Sequence, residues 1–404
     1  MKAKIATVLF IAFLTFGFLT NISGLRSAFI EENPQTQTEQ GKKKPEGKAE
    51  NFYTEALEGR DVIDSYYSTN INYKTGFIDL NGLALRLAGV RVVDDSQYRV
   101  VKLDDKHLSF VIPQKHNLSY PIAQTKKLSD YLKNKNIPML YVQAPYKVCK
   151  KNPQLPAGVE DYSNEMADEF LSKLRKYGID TLDLRDRLHE EGLNHHNLFY
   201  RTDHHWTPEA GIWATGEIAN TLKEQYGFQI NEKSIDINNY SCKIYKNRLL
   251  GSLGRRIGIG YDGVEDFKLY LPKFSAPMKY KIDGRKEAID IDFSKQPFAP
   301  RHLKKDYYHM STYCAYTDGD FLHTELYNKK DKTGQKVLII RESFATVVSP
   351  FLGLSCDRLD TVDLRYEGSE AKSFIDAMNP DYVVILYNPN TLTSDKAFDF
   401  ILEK

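Results

Sequence analysis

Two short stretches of the chain carry residue types able to make and break acyl bonds. The first is Tyr200-Arg201-Thr202-Asp203-His204-His205-Trp206-Thr207-Pro208-Glu209. Thr207, Pro208 and Glu209 supply a capping hydroxyl, an N1 proline and an early acid, the pattern of a helix start. Asp203 to Trp206 therefore occupies the loop just before a helix. The second is Arg341-Glu342-Ser343-Phe344, which follows directly on the apolar run Val337–Ile340. A serine hydroxyl is a poor nucleophile without a base, and the base needs a group to orient it. Asp203-x-His205 supplies both: the carboxylate accepts from one ring nitrogen and leaves the other to face Ser343. Histidine titrates near neutrality, which suits general acid–base work. Taken alone, Ser343 reads first as a helix N-cap; the Asp-x-His pair is what turns it into a nucleophile.

A metal reading competes with this one. His195, His196, Asp203, His204 and His205 offer five potential ligands within eleven positions. They lack the i, i+4 spacing of a zincin helix, and no carboxylate cluster follows. The expectation is no metal and no cofactor. A merely solvated loop does not explain why both tryptophans of the chain, Trp206 and Trp213, fall here, seven positions apart on what would be one helix face.

The elements that must hold these residues alternate. Ala123–Asn134 and Tyr162–Tyr177 carry helical stripes, as does Thr207–Tyr226. Pro138–Val142 and Asp180–Leu184 read as strands. After a stretch of irregular and β character, 228–334, the alternation resumes. Val337–Ile340, Thr361–Leu364 and Tyr382–Leu386 are strands, and Ala345–Leu354 and Ala371–Met378 are helices. Such alternation implies an α/β class with a parallel sheet covered on both faces. In such sheets ligands bind at the carboxyl ends of strands, where Ser343 falls. Residues 51–120 carry short β-like runs (Gly76–Leu80, Val90–Val93, Leu108–Ile112) and read as an entry segment to a main domain of 121–404 with its insertion.

Asp203-His204-His205-Trp206 resembles the signature tetrad of the DHHW family, a branch of the SGNH hydrolase-like superfamily related to the alginate O-acetyltransferases. Phe77–Gly82, Leu250–Arg256, Asp318–Phe321 and Val337–Ala345 resemble further recurrent segments, so the likeness runs from about residue 75 to about residue 390. It implies a three-layer α/β/α sandwich in which Asp203, His205 and Ser343 form the triad. Glu342 stands where the family carries Asp before its serine, and the serine comes after the Asp-x-His pair, as in the alginate branch. Relatives complete the oxyanion hole with Gly and Asn from other loops. Asn388, in Tyr387-Asn388-Pro389, and Lys147, near another strand end, are the candidates here, although Asn before Pro is also ordinary turn chemistry. Arg255 and Arg256 are candidates to meet an anionic sugar, or to form salt bridges instead. Trp206 is grouped with the candidate substrate contacts.

The implied reaction is ping-pong acyl transfer, most simply of acetyl, to a cell-surface or secreted polysaccharide through an acyl-serine. A membrane-bound O-acyltransferase would be the partner that delivers acetyl. A carbohydrate O-acetyl esterase with the same triad and a non-catalytic carbohydrate-binding component are the alternatives.

The chain has 404 residues, 41% hydrophobic and 27% charged, with a net charge of +1. That composition suits an ordinary globular core and gives no global field for nucleic acid. Lys2 and Lys4 precede an apolar run from Ile5 to Thr20, the pattern of an export signal. The run is short for a span of about 20 residues. Residues 1–24 are thus a signal peptide or an anchor, which puts the rest outside the cytoplasm, secreted or membrane-associated through the N-terminus. The polar tract within 25–50 reads as a disordered linker. Cys149, Cys242, Cys314 and Cys356 show no C-x-x-C spacing, leaving disulfides and single thiols both open.

Overall fold

The computed structural model describes residues 74–94, 98–285, 287–366 and 370–402. The expected signal or anchor and the linker lie outside these residues. Gly82–Lys404 forms one compact unit, which includes residues 82–120 of the expected entry segment.

Thirteen strands are described: β1 (Val92–Asp94), β2 (Arg99–Lys102), β3 (Leu108–Phe110), β4 (Met139–Gln143), β5 (Asp180–Asp183), β6 (Tyr240–Leu249), β7 (Glu265–Pro272), β8 (Pro277–Ile282), β9 (Ile289–Asp292), β10 (His323–Asn328), β11 (Lys336–Arg341), β12 (Arg358–Val362) and β13 (Tyr382–Tyr387). Eight of them build the main sheet in the order β5-β4-β13-β11-β12-β10-β8-β9. The first five run parallel, with Ile339 opposite Thr361 on one side and Val384 on the other. β10, β8 and β9 continue the sheet antiparallel. Within the segment 228–334 three strands extend the sheet, while β6 and β7 pair as a ribbon. β1, β2 and β3 form a small antiparallel sheet.

Alternate residues of the parallel strands face opposite ways. Leu140, Val142, Val337, Ile339, Val384 and Leu386 pack with Ala210, Ile212 and Ile218 of the helix Pro208–Tyr226. Met139, Tyr141, Leu338, Ile340, Val383 and Ile385 pack with the helices Ser119–Asn134, Ser163–Lys176 and Ala371–Met378. This is the three-layer α/β/α arrangement expected from the alternation.

Two local expectations fail. Gly76–Leu80 is not a strand but part of the helix Lys74–Leu87. Its apolar residues Phe77, Leu80, Ala84 and Leu87 recur at three- and four-residue spacing, a helical period hidden in a short window. Ala345–Leu354 is not one helix. The chain makes the 3-10 turn Ser343–Val347, the α-turn Ser349–Leu352 and a further 3-10 turn, Gly353–Ser355.

Candidate active site

Ser343 stands just past the carboxyl end of β11, as the first residue inside its 3-10 turn. Glu342, not Ser343, is the cap: its side chain accepts from the Phe344 N–H. Among the described residues no acceptor is recorded for the Ser343 N–H, as expected for the opening residue of a helical turn.

The base loop is pinched shut by a bridge between Phe199 and Trp206, with Tyr200 N–H donating to the His205 carbonyl at 3.2 Å. Its outer anchor is the helix Ser252–Ile257. Ser252 N–H donates to Asp203 Oδ2 at 2.8 Å, and Gly254 N–H to the Thr202 carbonyl at 2.9 Å. Gly251 lies so close that a Cβ there would sit 2.3 Å from the Asp203 Cα; only glycine fits. On the inner side Trp206, fully buried, donates its Nε1–H to the Phe344 carbonyl at 2.9 Å.

These constraints bring together residues 138 positions apart. His205 Nε2 lies 2.7 Å from Ser343 Oγ. His205 Nδ1 lies 2.6 Å from Asp203 Oδ1, which also accepts the His205 backbone N–H at 3.0 Å. A carboxylate on Nδ1 fixes the tautomer that presents an acceptor Nε2 to the serine. Burial would raise the Asp203 pKa, but His205, His204 and the backbone N–H outweigh it and hold the carboxyl well below its usual range. The Tyr313 ring stacks on His205 with centroids 4.1 Å apart and planes at 11°, so the imidazole is gripped on its face as well as its edge.

Ser343 has a second acceptor. Glu342 Oε2 lies 3.2 Å from its hydroxyl, against 2.7 Å for His205 Nε2. Burial pushes the Glu342 pKa up to about 7 although Arg365 and His205 pull it down. Glu342 Oε1 is buried with no hydrogen-bond partner.

Ser343, His205 and Glu342 open into a cleft of about 320 Å³, walled on one side by Tyr98, Phe110 and Arg256 and on another by Asn388, Asn390 and Thr391. Asn388 Oδ1 accepts the Asn390 N–H at 2.8 Å, which turns its amide Nδ2 into the role of free donor. Arg256 is exposed, its guanidinium 4.3 Å from the Tyr98 ring centroid.

Three candidates from the sequence do not face this cleft. Lys147 is 1% exposed and turns its ammonium into the carbonyls of Leu108 (2.7 Å), Tyr200 (2.5 Å) and Asp203. It is a brace behind the base loop rather than an oxyanion donor. Trp206 likewise braces rather than touches substrate, because its indole is buried and its N–H is spent on Phe344. Arg255 is half-buried and does not line the cleft. The five-ligand metal reading also comes apart. Asp203, His204 and His205 stay together, with His204 Nδ1 on Ser252 Oγ at 2.6 Å, whereas His195 and His196 join other side chains. All four cysteines are free thiols.

Sequence reasoning missed Tyr313 and Ser252. Ser252 lies within the recurrent Leu250–Arg256 segment, and the glycine before it was the available signal. Tyr313 sits among many tyrosines with nothing local to mark it.

Comparison with known proteins bears on the fold and on part of the sequence. Residues 109–255 match the family described as SGNH hydrolase-like domain, acetyltransferase AlgX. The matched stretch holds Asp203 and His205 and ends before Ser343. A 111-residue segment is 29% identical to the alginate biosynthesis protein AlgX of Pseudomonas aeruginosa, covering 26% of this chain. The match spans only 23% of that protein's length. Among solved structures, Bacillus cereus PatB1 with a sulfonyl adduct superposes with a TM-score of 0.61 at 19% identity, over 76% of this chain and 98% of that one. A DHHW family protein from Eubacterium siraeum gives 0.58 at 15% identity, over 78% and 99%. Residues 109–255 are thus similar to an SGNH hydrolase-like domain, and the likeness to the solved structures is one of fold. The resemblance to the DHHW family, first visible in four consecutive residues, extends to the fold.

Proposed function

We propose that this protein is an extracytoplasmic O-acetyltransferase that acylates a polysaccharide through an acyl-Ser343 intermediate. The observation that carries the reading is the unbroken relay from Asp203 Oδ1 through His205 to Ser343 Oγ, with contacts of 2.6 and 2.7 Å, at the floor of an open cleft. The acetyltransferase description of the matched family supports the choice of acyl group.

In this reading Ser343 Oγ attacks the donor carbonyl while its proton passes to His205 Nε2. The Ser343 N–H and the Asn388 amide are the donors available to the developing oxyanion. His205 then protonates the leaving oxygen, leaving acetyl on the serine. A sugar hydroxyl enters, gives its proton to the same nitrogen and departs as the acetyl ester, while His205 returns that proton to Ser343 Oγ as the acyl–serine bond breaks. Asp203 remains ionised throughout and steadies the imidazolium.

The charged and apolar N-terminal segment supports delivery outside the cytoplasm, and resemblance supports a membrane-bound O-acyltransferase as the source of acetyl. Intact-protein mass spectrometry after incubation with an activated acetyl ester tests the core of this reading. An acetyl adduct mapped to Ser343 and absent from Ser343→Ala is expected. Turnover that survives Ser343→Ala rules the reading out. Adding oligosaccharide acceptors to the acetylated protein separates transfer from hydrolysis.

A further inference from the structure

Outside the cleft, Cys149, His189 and His195 converge from three segments. They are the loop after β4, the helix Leu184–Glu190, and the turn that leads into the base loop. The cysteine sulfur and one nitrogen of each ring all lie within 4.8 Å of one another. Cys149 Sγ and His189 Nε2 are 3.6 Å apart. A thiolate at about 2.3 Å and an imidazole at about 2.0–2.1 Å from one tetrahedral ion would be separated by about 3.5 Å.

His195 supplies the independent observation. It is 6% exposed, its Nε2 meets the Lys147 carbonyl at 3.2 Å, and its Nδ1 is buried with no hydrogen-bond partner. With Nε2–H donated to a carbonyl, Nδ1 carries the lone pair. A backbone carbonyl fixing the tautomer from behind is the usual support of a metal-ligating histidine. A simple Cys149–His189 hydrogen bond explains one contact and leaves His195 Nδ1 unsatisfied. Two of the cations nearby are committed elsewhere: Lys150 to Asp168 and Asp186, Lys147 to three carbonyls.

We propose that Cys149, His189 and His195 bind one zinc-class transition-metal ion, with solvent as the fourth ligand. A thiolate with two imidazoles suits zinc and disfavours magnesium or calcium. Binding forms three protein–metal bonds, and the Cys149 thiol proton leaves to solvent. The ion is a staple. Lys147 lies two residues before Cys149 and holds the Tyr200 and Asp203 carbonyls, while His195 stands five residues before Tyr200. The ion joins the brace to the loop it braces.

A second group, Asp105, His107 and His196, lies beside it, with both ring Nδ1 atoms 2.8–2.9 Å from Asp105 Oδ2. It is the rival location for an ion and shares no ligand with the first.

The test uses the whole exported protein, stripped with a chelator and titrated with cobalt(II). We expect one ion per chain by elemental analysis after gel filtration, with tetrahedral d–d bands and a thiolate-to-cobalt charge-transfer band. Cys149→Ser should abolish the charge-transfer band and His195→Gln should lower retention at least tenfold, while His107→Gln keeps both signals. Failure of the wild-type protein to retain cobalt or zinc overturns the proposal. So does retained cobalt without the thiolate band, and so does retention that survives Cys149→Ser but disappears in His107→Gln. The wild-type spectrum decides even where a variant does not fold.

Discussion

The indole N–H of Trp206 donates to the carbonyl of Phe344 at 2.9 Å, tying the residue after the base to the residue after the nucleophile. The bond sets the spacing of His205 and Ser343 through the backbone on both sides. Trp206→Phe keeps an aromatic ring and removes the bond. A loss of about 1–2 kcal/mol in stability is expected, with a fall in kcat/KM on an acetyl ester of about tenfold, equivalent to about 1.4 kcal/mol in the barrier. Denaturant titration and steady-state kinetics check both. Unchanged kinetics would show that the serine is held by other contacts.

Asp203→Asn tests the relay itself. The amide still meets the Ser252 N–H through its oxygen, but it no longer fixes the tautomer of His205 or stabilises the imidazolium. A loss of about 10³–10⁴-fold in kcat with little change in KM is expected. Equal losses in a variant with altered near-UV circular dichroism would point to a collapsed loop instead.

Lys147→Met removes a buried ammonium from three carbonyls. Those acceptors lose their donor, so a destabilisation of about 1–3 kcal/mol is expected. Because two of the carbonyls belong to the base loop, ester turnover should fall faster with temperature than secondary structure does. Following the two signals in one thermal ramp makes the comparison.

Glu342 gives a pH signature. Its folded pKa is raised from 4.5 to about 7, mainly by burial. Between those values the unfolded chain is ionised and the folded chain holds its proton, so the unfolded state binds fewer protons. Stability contributed by this group is therefore fully present below the unfolded pKa and is lost as pH rises toward 7, by at most roughly 3 kcal/mol. Glu342→Gln should flatten that part of the pH–stability curve. Denaturation midpoints measured across the range decide it; an identical slope in the variant would mean that Glu342 is ionised in the folded protein.

The fold was legible wherever burial on both faces writes a continuous apolar run. Val337–Ile340 and Tyr382–Leu386 are matched to within a residue or two by β11 and β13, and Ala371–Met378 coincides with its helix. Asp203, His205 and Ser343 were legible because Thr207-Pro208-Glu209 announces a helix start and a strand ends beside the serine. What was not legible depends on contacts distant along the chain. Nothing near Lys147 says that its charge is turned inward, because its three carbonyls come from residues 108, 200 and 203. Short strands such as β8 and β10 alternate like any solvent-facing hairpin, and only the pairing of β10 with β12, and of β8 with β10, places them in the main sheet.

That extension of the sheet bears on the order of events when the chain folds. The strands β8, β9 and β10 fall in sequence between the imidazole and the hydroxyl, and the two meet across 138 positions. Closing so large a loop costs entropy before any contact rewards it. Competence should therefore emerge late. In a refolding experiment, ester hydrolysis is expected to lag behind the far-UV signal, and simultaneous recovery would contradict this. Until the middle of the polypeptide is in register, the serine has no base and the half-formed protein is chemically silent.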